Sequence, residues 1–307
     1  MISSLYRIFT IGRNTLTEAI RQKVLNVLLI FALVLTASSF AFSGLGTDGP
    51  DTSGMFDAQI KFVKDFGCGA IGIFGFLITL LSTAQLIPQE LHNRTIYTIL
   101  AKPVRRSEFL LGKFFGMVLL LTLCTALMSL AFAATLYWQE RTALAQTEAV
   151  YDRNPNWHSV PAAVASYNHD TATVFQQTRD PQIIEAVLLI YAKLLMTTAI
   201  ALLISTFATS SIFTIATTFM IYLIGHLEST AREFWLAGGA NESIWQSSLV
   251  GLISLLIPDM NSFTIVDEIL AGNKVPWHHA LNLIGYADIY MIVLLGVGIV
   301  IFDYREI

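Results

Sequence analysis

Charged residues are scarce in this chain of 307 residues. Asp, Glu, Lys and Arg together make up 13% of it and hydrophobic residues 54%, whereas a soluble domain carries about a quarter charged residues. This deficit excludes a surface that faces water on all sides and predicts a membrane protein with several spanning helices. The formal net charge of −4 argues against a nucleic-acid binder. The two cysteines, Cys68 and Cys124, are too few for a disulfide framework.

Catalytic motifs are also missing. A phosphate-binding loop needs the pattern G-x-x-x-x-G-K-[ST], because its backbone N–H groups wrap the phosphates. The Gly112-Lys113 pair has Ser107 where the first glycine is needed and Phe114 where a hydroxyl residue is needed. The sequence shows no paired carboxylates, metal-ligand cluster or activated nucleophile. We therefore expect no catalytic residue, cofactor or metal site in the chain.

Six apolar runs have about the 20 residues that a helix needs to cross roughly 30 Å of hydrocarbon. They are Val24–Phe42, Gly67–Ile87, Gly112–Tyr137, Ile183–Phe207, Ile212–Leu227 and Leu281–Phe302. A shorter run, Ser247–Ile257, ends at Pro258 and is interpreted as an interfacial or re-entrant half-helix. The predicted fold class is all-α, a polytopic membrane protein with six transmembrane helices.

Lys and Arg residues are unevenly divided between the two sides of the predicted spans. Ten of the 18 lie before the first span, between the second span and the first residues of the third, or after the last: Arg7, Arg13, Arg21, Lys23, Arg94, Lys102, Arg105, Arg106, Lys113 and Arg305. Because positive charge marks cytoplasmic segments, both termini are predicted to be cytoplasmic. The expected location is the bacterial inner membrane.

Residues 1–307 are expected to form a single transmembrane domain, with further segments around its spans. Residues 1–23 combine apolar side chains at helical spacing with basic flanks, which predicts a helix in the cytoplasmic interface of the membrane. The alternative is that they only lengthen the first span. Residues 138–182 form a polar and aromatic outer loop, and residues 228–280 form an outer segment that contains the half-helix.

A charged stretch, residues 88–107, interrupts the apolar sequence between the second and third runs. Polar residues four apart form one stripe of a helix: Glu90, Arg94, Thr98 and Lys102. Pro103 ends that helix. An ordinary basic loop that only sets topology is the alternative, but scattered cations suffice for that purpose. Since an ordered polar stripe has no use against lipid, we interpret this helix as a docking site for a cytoplasmic protein.

The third span begins directly after this stretch. Ser107 is expected to cap it, and Glu108 lies in its first turn, where a carboxylate is favourable. Lys113 is expected to extend its ammonium to the lipid headgroups.

The run E-x-x-x-R-T-I-Y-x-x-L-x-x-P-V-x-R-x-E-F-x-x-G-K, from Glu90 to Lys113, resembles the permease subunits of ABC-2 type transporters. It is similar to the branch that includes the permease for copper-site maturation of nitrous oxide reductase. The resemblance extends to the N-terminal helix, the six spans, the PDMNSF segment and the ending Phe302–Glu306. It implies that 88–107 is a coupling helix inserted into a cytoplasmic ATPase. The stripe and the resemblance assign docking to Glu90, Arg94, Thr95, Thr98, Lys102, Pro103, Arg105 and Arg106.

The resemblance also implies the partners. ATP and Mg would be bound by a separate ATP-binding cassette subunit, in two copies, on a pair of permease subunits. Transport would be export, and the outer loops are candidates to contact a periplasmic partner. The substrate stays open, because 138–182 is enlarged relative to the family. The alternative function is a membrane scaffold or sensor whose cytoplasmic helix docks a partner that is not an ATPase.

Ionisable residues inside the predicted spans are further candidates, since charge in hydrocarbon is costly and often functional. Lys193 and Asp288 both lie near the outer ends of their spans, and we hypothesise that they pair across the bundle. His226 with Glu228 closes the fifth span, either as a gate or as a polar pair at a helix end.

Overall fold

A computed structural model of the protein describes residues 2–43, 52–88, 90, 105–237 and 257–304. Regular secondary structure in these ranges is helical, without strands. The α-helices are α1 (Ile2–Ile20), α2 (Lys23–Ser43), α3 (Thr52–Gln85), α4 (Arg106–Tyr151), α5 (Pro161–Thr178), α6 (Gln182–Phe207), α7 (Ser211–Ala237), α8 (Ile265–Leu270) and α9 (Trp277–Tyr304). Short 3-10 helices lie at Trp157–Ser159 and Asn261–Thr264.

Several of these helices can cross a membrane. Among the described residues, five are long and apolar enough; they lie in α3, α4, the α5–α6 stretch, α7 and α9. The pair α1 and α2, bent by 71° at the break between them, makes a sixth when taken together. The prediction of an all-α polytopic membrane protein is confirmed. The bend also argues against α1 as a simple extension of the first span.

The outer loop predicted at 138–182 is largely helical. α4 continues past Tyr137 to Tyr151, and α5 folds back beside it. Arg179 binds both carboxylate oxygens of Glu140, at 2.6 and 3.1 Å, which fastens the end of α5 to α4. At the tip, the rings of Tyr151, Trp157 and Tyr167 pack within 5.4 Å of one another. The predicted loop is therefore a helical hairpin, which these contacts hold together.

The later outer segment is fastened to the spans. The predicted half-helix Ser247–Ile257 lies outside the described residues apart from its last position. Beyond it, Met260 N–H donates to the Gly225 carbonyl of α7 at 3.0 Å, and Asp259 N–H donates to the Tyr286 hydroxyl of α9 at 2.9 Å. The chain then forms α8, and two residues after its last residue, Leu270, Gly272 has a φ of +88°, a left-handed conformation that favours glycine.

Helix α6 lies at the centre of the bundle. It packs against α3, α4, α7 and α9, and most of its side chains are buried. By contrast, α7 and α9 expose many large apolar side chains. Such surfaces are compatible with a bilayer, since lipid tails are as apolar as those side chains.

Helices α1 and α4 touch through glycines. A Cβ added at Gly116 would lie 2.7 Å from the Gly12 carbonyl oxygen, and one added at Gly112 would lie 3.2 Å from the Ile8 carbonyl oxygen. A Cβ at Gly12 would lie 2.7 Å from the Phe115 ring. The two backbones are therefore in close contact, which is possible because small residues in membrane helices leave room for it. This contact holds the N-terminal helix against the start of the third predicted span.

We expect Gly116→Ala to lower the thermal stability of the purified protein, because the new methyl group overlaps the backbone of α1. Forced overpacking costs about 1–3 kcal/mol. The matched control is Gly296→Ala in α9, where a Cβ meets no atom within 4 Å. Both substitutions gain about 1 kcal/mol of helix propensity, so their difference isolates the α1–α4 contact. Equal unfolding midpoints for the two variants would contradict the close approach.

Candidate functional site

Five ionisable side chains from three parts of the sequence make two neighbouring sets of contacts where α1 contacts the start of α4: Arg7 with Glu108, and Lys113 with Glu18 and Glu90. We call them the ionic cluster: Arg7, Glu18, Glu90, Glu108 and Lys113. Arg7 and Glu18 belong to α1, Glu108 and Lys113 belong to α4, and Glu90 lies near the beginning of the predicted docking stretch 88–107. The cluster thus joins α1, the start of α4 and the beginning of the 88–107 segment.

Lys113 is the buried centre of the ionic cluster. Its side chain is 2% exposed, its Nζ forms an ion pair with Glu90 Oε1, and it lies 3.8 Å from Glu18 Oε2. The ammonium also lies 5.7 Å from the ring centroid of Phe109. The prediction that Lys113 extends to the lipid headgroups is wrong, because α1 covers this face of α4 and supplies one of the carboxylates that hold the ammonium.

Glu90 is held at the other end of this ion pair. The residue is 8% exposed. Burial raises the pKa of its carboxyl, and the Lys113 ammonium opposes that rise. A buried charge is costly unless it is paired, so the contact with Lys113 keeps Glu90 at this position. The first residue of the predicted docking stripe is therefore an anchor on the spans.

Glu108 organises the first turn of α4. It accepts hydrogen bonds from the Ser4 hydroxyl at 2.6 Å, from Arg7 at 3.3 Å and from the Arg105 N–H at 3.2 Å. The helix cap is Arg105, so the expectation that Ser107 caps this helix is wrong. The Glu108 carboxylate three residues on satisfies the free N–H group at the cap, as in one half of a capping box, and α4 begins before Ser107.

Arg106 connects the start of α4 to the end of α9. Its guanidinium donates to the carbonyl oxygens of Phe302 at 3.0 Å and Asp303 at 2.9 Å. The last carbonyls of a helix lack partners within the helix and carry partial negative charge, so an arginine is a suitable partner there. The Phe109 and Phe302 rings stack beside this contact, with centroids 5.9 Å apart.

The structure places only part of the predicted docking set. Five of its residues lie outside the described residues: Arg94, Thr95, Thr98, Lys102 and Pro103. Glu90 and Arg106 are fixed to the spans as above, and Arg105 is exposed. The segment that contains the docking stripe is therefore flanked at both ends by residues with defined contacts.

The structure does not bring Lys193 and Asp288 together. Lys193 Nζ lies 2.8 Å from His226 Nε2, and Asp288 is exposed on α9. None of the ion pairs within the described part of the chain joins the two. His226 of α7, considered above with Glu228, is the neighbour of Lys193. Nor do the described residues include a group of three or more His, Cys, Asp or Glu placed to hold a metal ion.

Sequence reasoning missed the role of α1 in this site. From the sequence alone, Arg7 and Glu18 are polar residues of a predicted interfacial helix, and nothing in their spacing points to α4. The signal that could have found the contact is the pair Gly112 and Gly116, four residues apart, a pattern that lets membrane helices approach closely. Gly12 supplies the matching position on α1.

We expect Lys113→Met to destabilise the protein by about 3–5 kcal/mol, because it leaves two carboxylates beside a buried apolar side chain. The variant Glu90→Leu with Lys113→Met removes the buried pair as a whole and is expected to recover most of that loss. Arg13→Met, at an exposed cation of α1, is the control and is expected to have little effect. Thermal unfolding of the purified variants measures all three. A double variant no more stable than Lys113→Met would contradict the account of Lys113 as a buried pair.

Comparison with known proteins identifies the family of the chain. A search of curated proteins finds no match to the chain. A family model with the description "ABC-2 family transporter protein" matches residues 9–307, which include the predicted spans and the 88–107 segment. The finer resemblance to the nitrous oxide reductase branch stays a prediction. Because the match covers nearly the whole chain, the protein belongs to the ABC-2 family of transporter proteins.

Proposed function

We propose that this protein couples ATP hydrolysis by a separate cytoplasmic subunit to the export of a substrate, and that residues 88–107 receive the motion. Membership in the ABC-2 family makes the chain a transmembrane permease subunit, a membrane component without catalysis of its own. The family also implies association with an ATP-binding cassette subunit. The proposed complex has two permease copies and two ATP-binding cassette subunits. It lies in the bacterial inner membrane, with both termini of each permease in the cytoplasm.

The observation that carries the proposal is the attachment of the docking segment at both ends. Glu90 binds Lys113 inside the ionic cluster, and Arg106 binds the last carbonyls of α9. A force on the segment between them is therefore passed to α4 and α9, and through the glycine contact to α1. A flexible loop that only set topology would need no such attachments.

The stripe residues Arg94, Thr98 and Lys102 lie between these two attachment points. Charged groups at an interface direct association and orientation, and placing like charges opposite each other costs several kcal/mol. We therefore assign recognition of the ATPase to this stripe, together with Thr95 and the turn at Pro103–Arg105. Glu90 and Arg106 transmit the motion.

Affinity purification of the full-length chain from its native membranes tests the proposal. We expect a Walker-motif ATPase to co-purify, and we expect reversal of two stripe charges, Arg94→Glu with Lys102→Glu, to reduce the bound ATPase about tenfold or more. The control is Lys274→Glu, at an exposed cation outside the segment.

Two results would contradict the proposal. Purification of the wild-type chain with a partner that is not an ATPase would favour the scaffold or sensor function instead. Retention of the ATPase in full amount by the charge-reversed variant, with unchanged ATP turnover, would exclude the stripe as the docking surface.

A further inference from the structure

A charged cavity of about 610 Å³ lies between α3, α6, α7 and the segment of α8. It is separate from the ionic cluster and shares no residue with it. Side chains of both charges line it, and its apolar wall includes Ile190, Leu194, Phe263 and Leu270, which are all buried. This combination, an apolar wall with a few convergent polar groups, is typical of sites for small molecules.

The inner part of the charged cavity holds a cation, Lys193, that none of the ion pairs among the described residues includes. Lys193 and His226 are half-buried, and their nitrogens Nζ and Nε2 are 2.8 Å apart. His226 Nδ1 lies 2.8 Å from the Tyr222 carbonyl oxygen. A carbonyl only accepts, so Nδ1 carries the proton and Nε2 accepts from the ammonium. The Tyr222 ring lies under that ammonium, with its centroid 5.5 Å away.

The outer part of the charged cavity carries acidic side chains. Lys61, Asp65 and Asp267 line it and are exposed. Lys61 and Asp65 are four residues apart on α3, where opposite charges are neighbours, so Asp267 adds a further negative charge, which none of the ion pairs among the described residues includes. The cavity therefore presents a positive group inside and a negative group towards its exposed side.

The charged cavity has open space beside α3. Gly72 lines the charged cavity, and a Cβ added there would meet no atom within 4 Å. A larger side chain at this position therefore enters the cavity without displacing the helices around it.

We propose that the charged cavity binds a zwitterionic amphipathic molecule, with its anionic group on Lys193 and its cationic group on Asp267. An anion alone leaves Asp267 unmatched, and a cation alone leaves Lys193 unmatched. The apolar wall takes the hydrocarbon between the two charges. Binding itself goes beyond the proposed function, and only the role of the ligand as transported substrate rests on that function.

Calorimetric titration of the full-length protein in an uncharged glycoside detergent, without nucleotide, tests this proposal. The probes are 6-aminohexanoate, hexanoate and hexylamine, which share a six-carbon chain and differ in their charged ends. We expect 6-aminohexanoate to bind about tenfold more tightly than either of the others, because each charged end makes a charge-assisted hydrogen bond.

The variants locate the site. Lys193→Met and Asp267→Asn are each expected to weaken 6-aminohexanoate binding about tenfold, whereas Lys193→Arg keeps it. Gly72→Leu fills the cavity and is expected to abolish binding while the protein stays folded. Lys274→Met is the control outside the charged cavity, with unchanged binding.

Three results would overturn the proposal. The first is equal affinity for hexanoate and 6-aminohexanoate, and the second is unchanged affinity for 6-aminohexanoate in Lys193→Met or Gly72→Leu. The third is absence of saturable binding up to about 10 mM, which is a weak affinity even for so small a ligand. Because the titration needs no ATPase, its failure is distinguishable from failure of the docking experiment.

Discussion

Burial of the Lys113 ammonium is the interaction on which the predicted cytoplasmic end of the protein depends. An ammonium taken out of water is costly unless carboxylates surround it. Here Glu90 and Glu18 come from opposite sides, one from the end of the α3 region and one from α1. This arrangement requires α1 to lie directly on α4, which in turn requires Gly12, Gly112 and Gly116 at the contact. The electrostatic and steric requirements therefore support each other, and α1, α4 and the start of the docking segment are held as one unit.

The same end of the molecule is closed by a second set of contacts. Arg106 lies beside Glu108 in the first turn of α4, yet it reaches the carbonyls of Phe302 and Asp303 at the end of α9. α9 packs along the central helix α6, so a displacement of the segment between Glu90 and Arg106 has a direct mechanical route to the core of the bundle. Under the proposed function, in which ATP hydrolysis takes place in another subunit, a route of this kind is what the permease must provide.

The span pattern could be predicted from the sequence, because long apolar runs have few alternatives in a chain so poor in charge. The run Val24–Phe42 corresponds to α2 and the run Ile183–Phe207 to α6. The burial of Lys113 could not be predicted. A lysine two turns inside a helix has the same local sequence pattern whether its ammonium extends to the headgroups or forms an ion pair beneath another helix, and only the tertiary contact with α1 distinguishes the two. Likewise, opposite charge predicts Asp288 of α9 as the partner of Lys193, whereas the fold places His226 of α7 beside it.

The most direct test of this account is whether the docking segment, α1 and α4 move together. Spin labels at Asn14 in α1, an exposed position, and at Ser107 in the first turn of α4, a half-buried position, allow pulsed electron–electron double resonance after replacement of Cys68 and Cys124. Measured in the ATPase-bound protein without nucleotide and with ADP–vanadate, the distance within one chain is predicted to stay the same. The distance between the residue 107 labels of the two permease copies is predicted to change. A change within the chain as large as that between the copies would contradict the claim that these elements act as one unit.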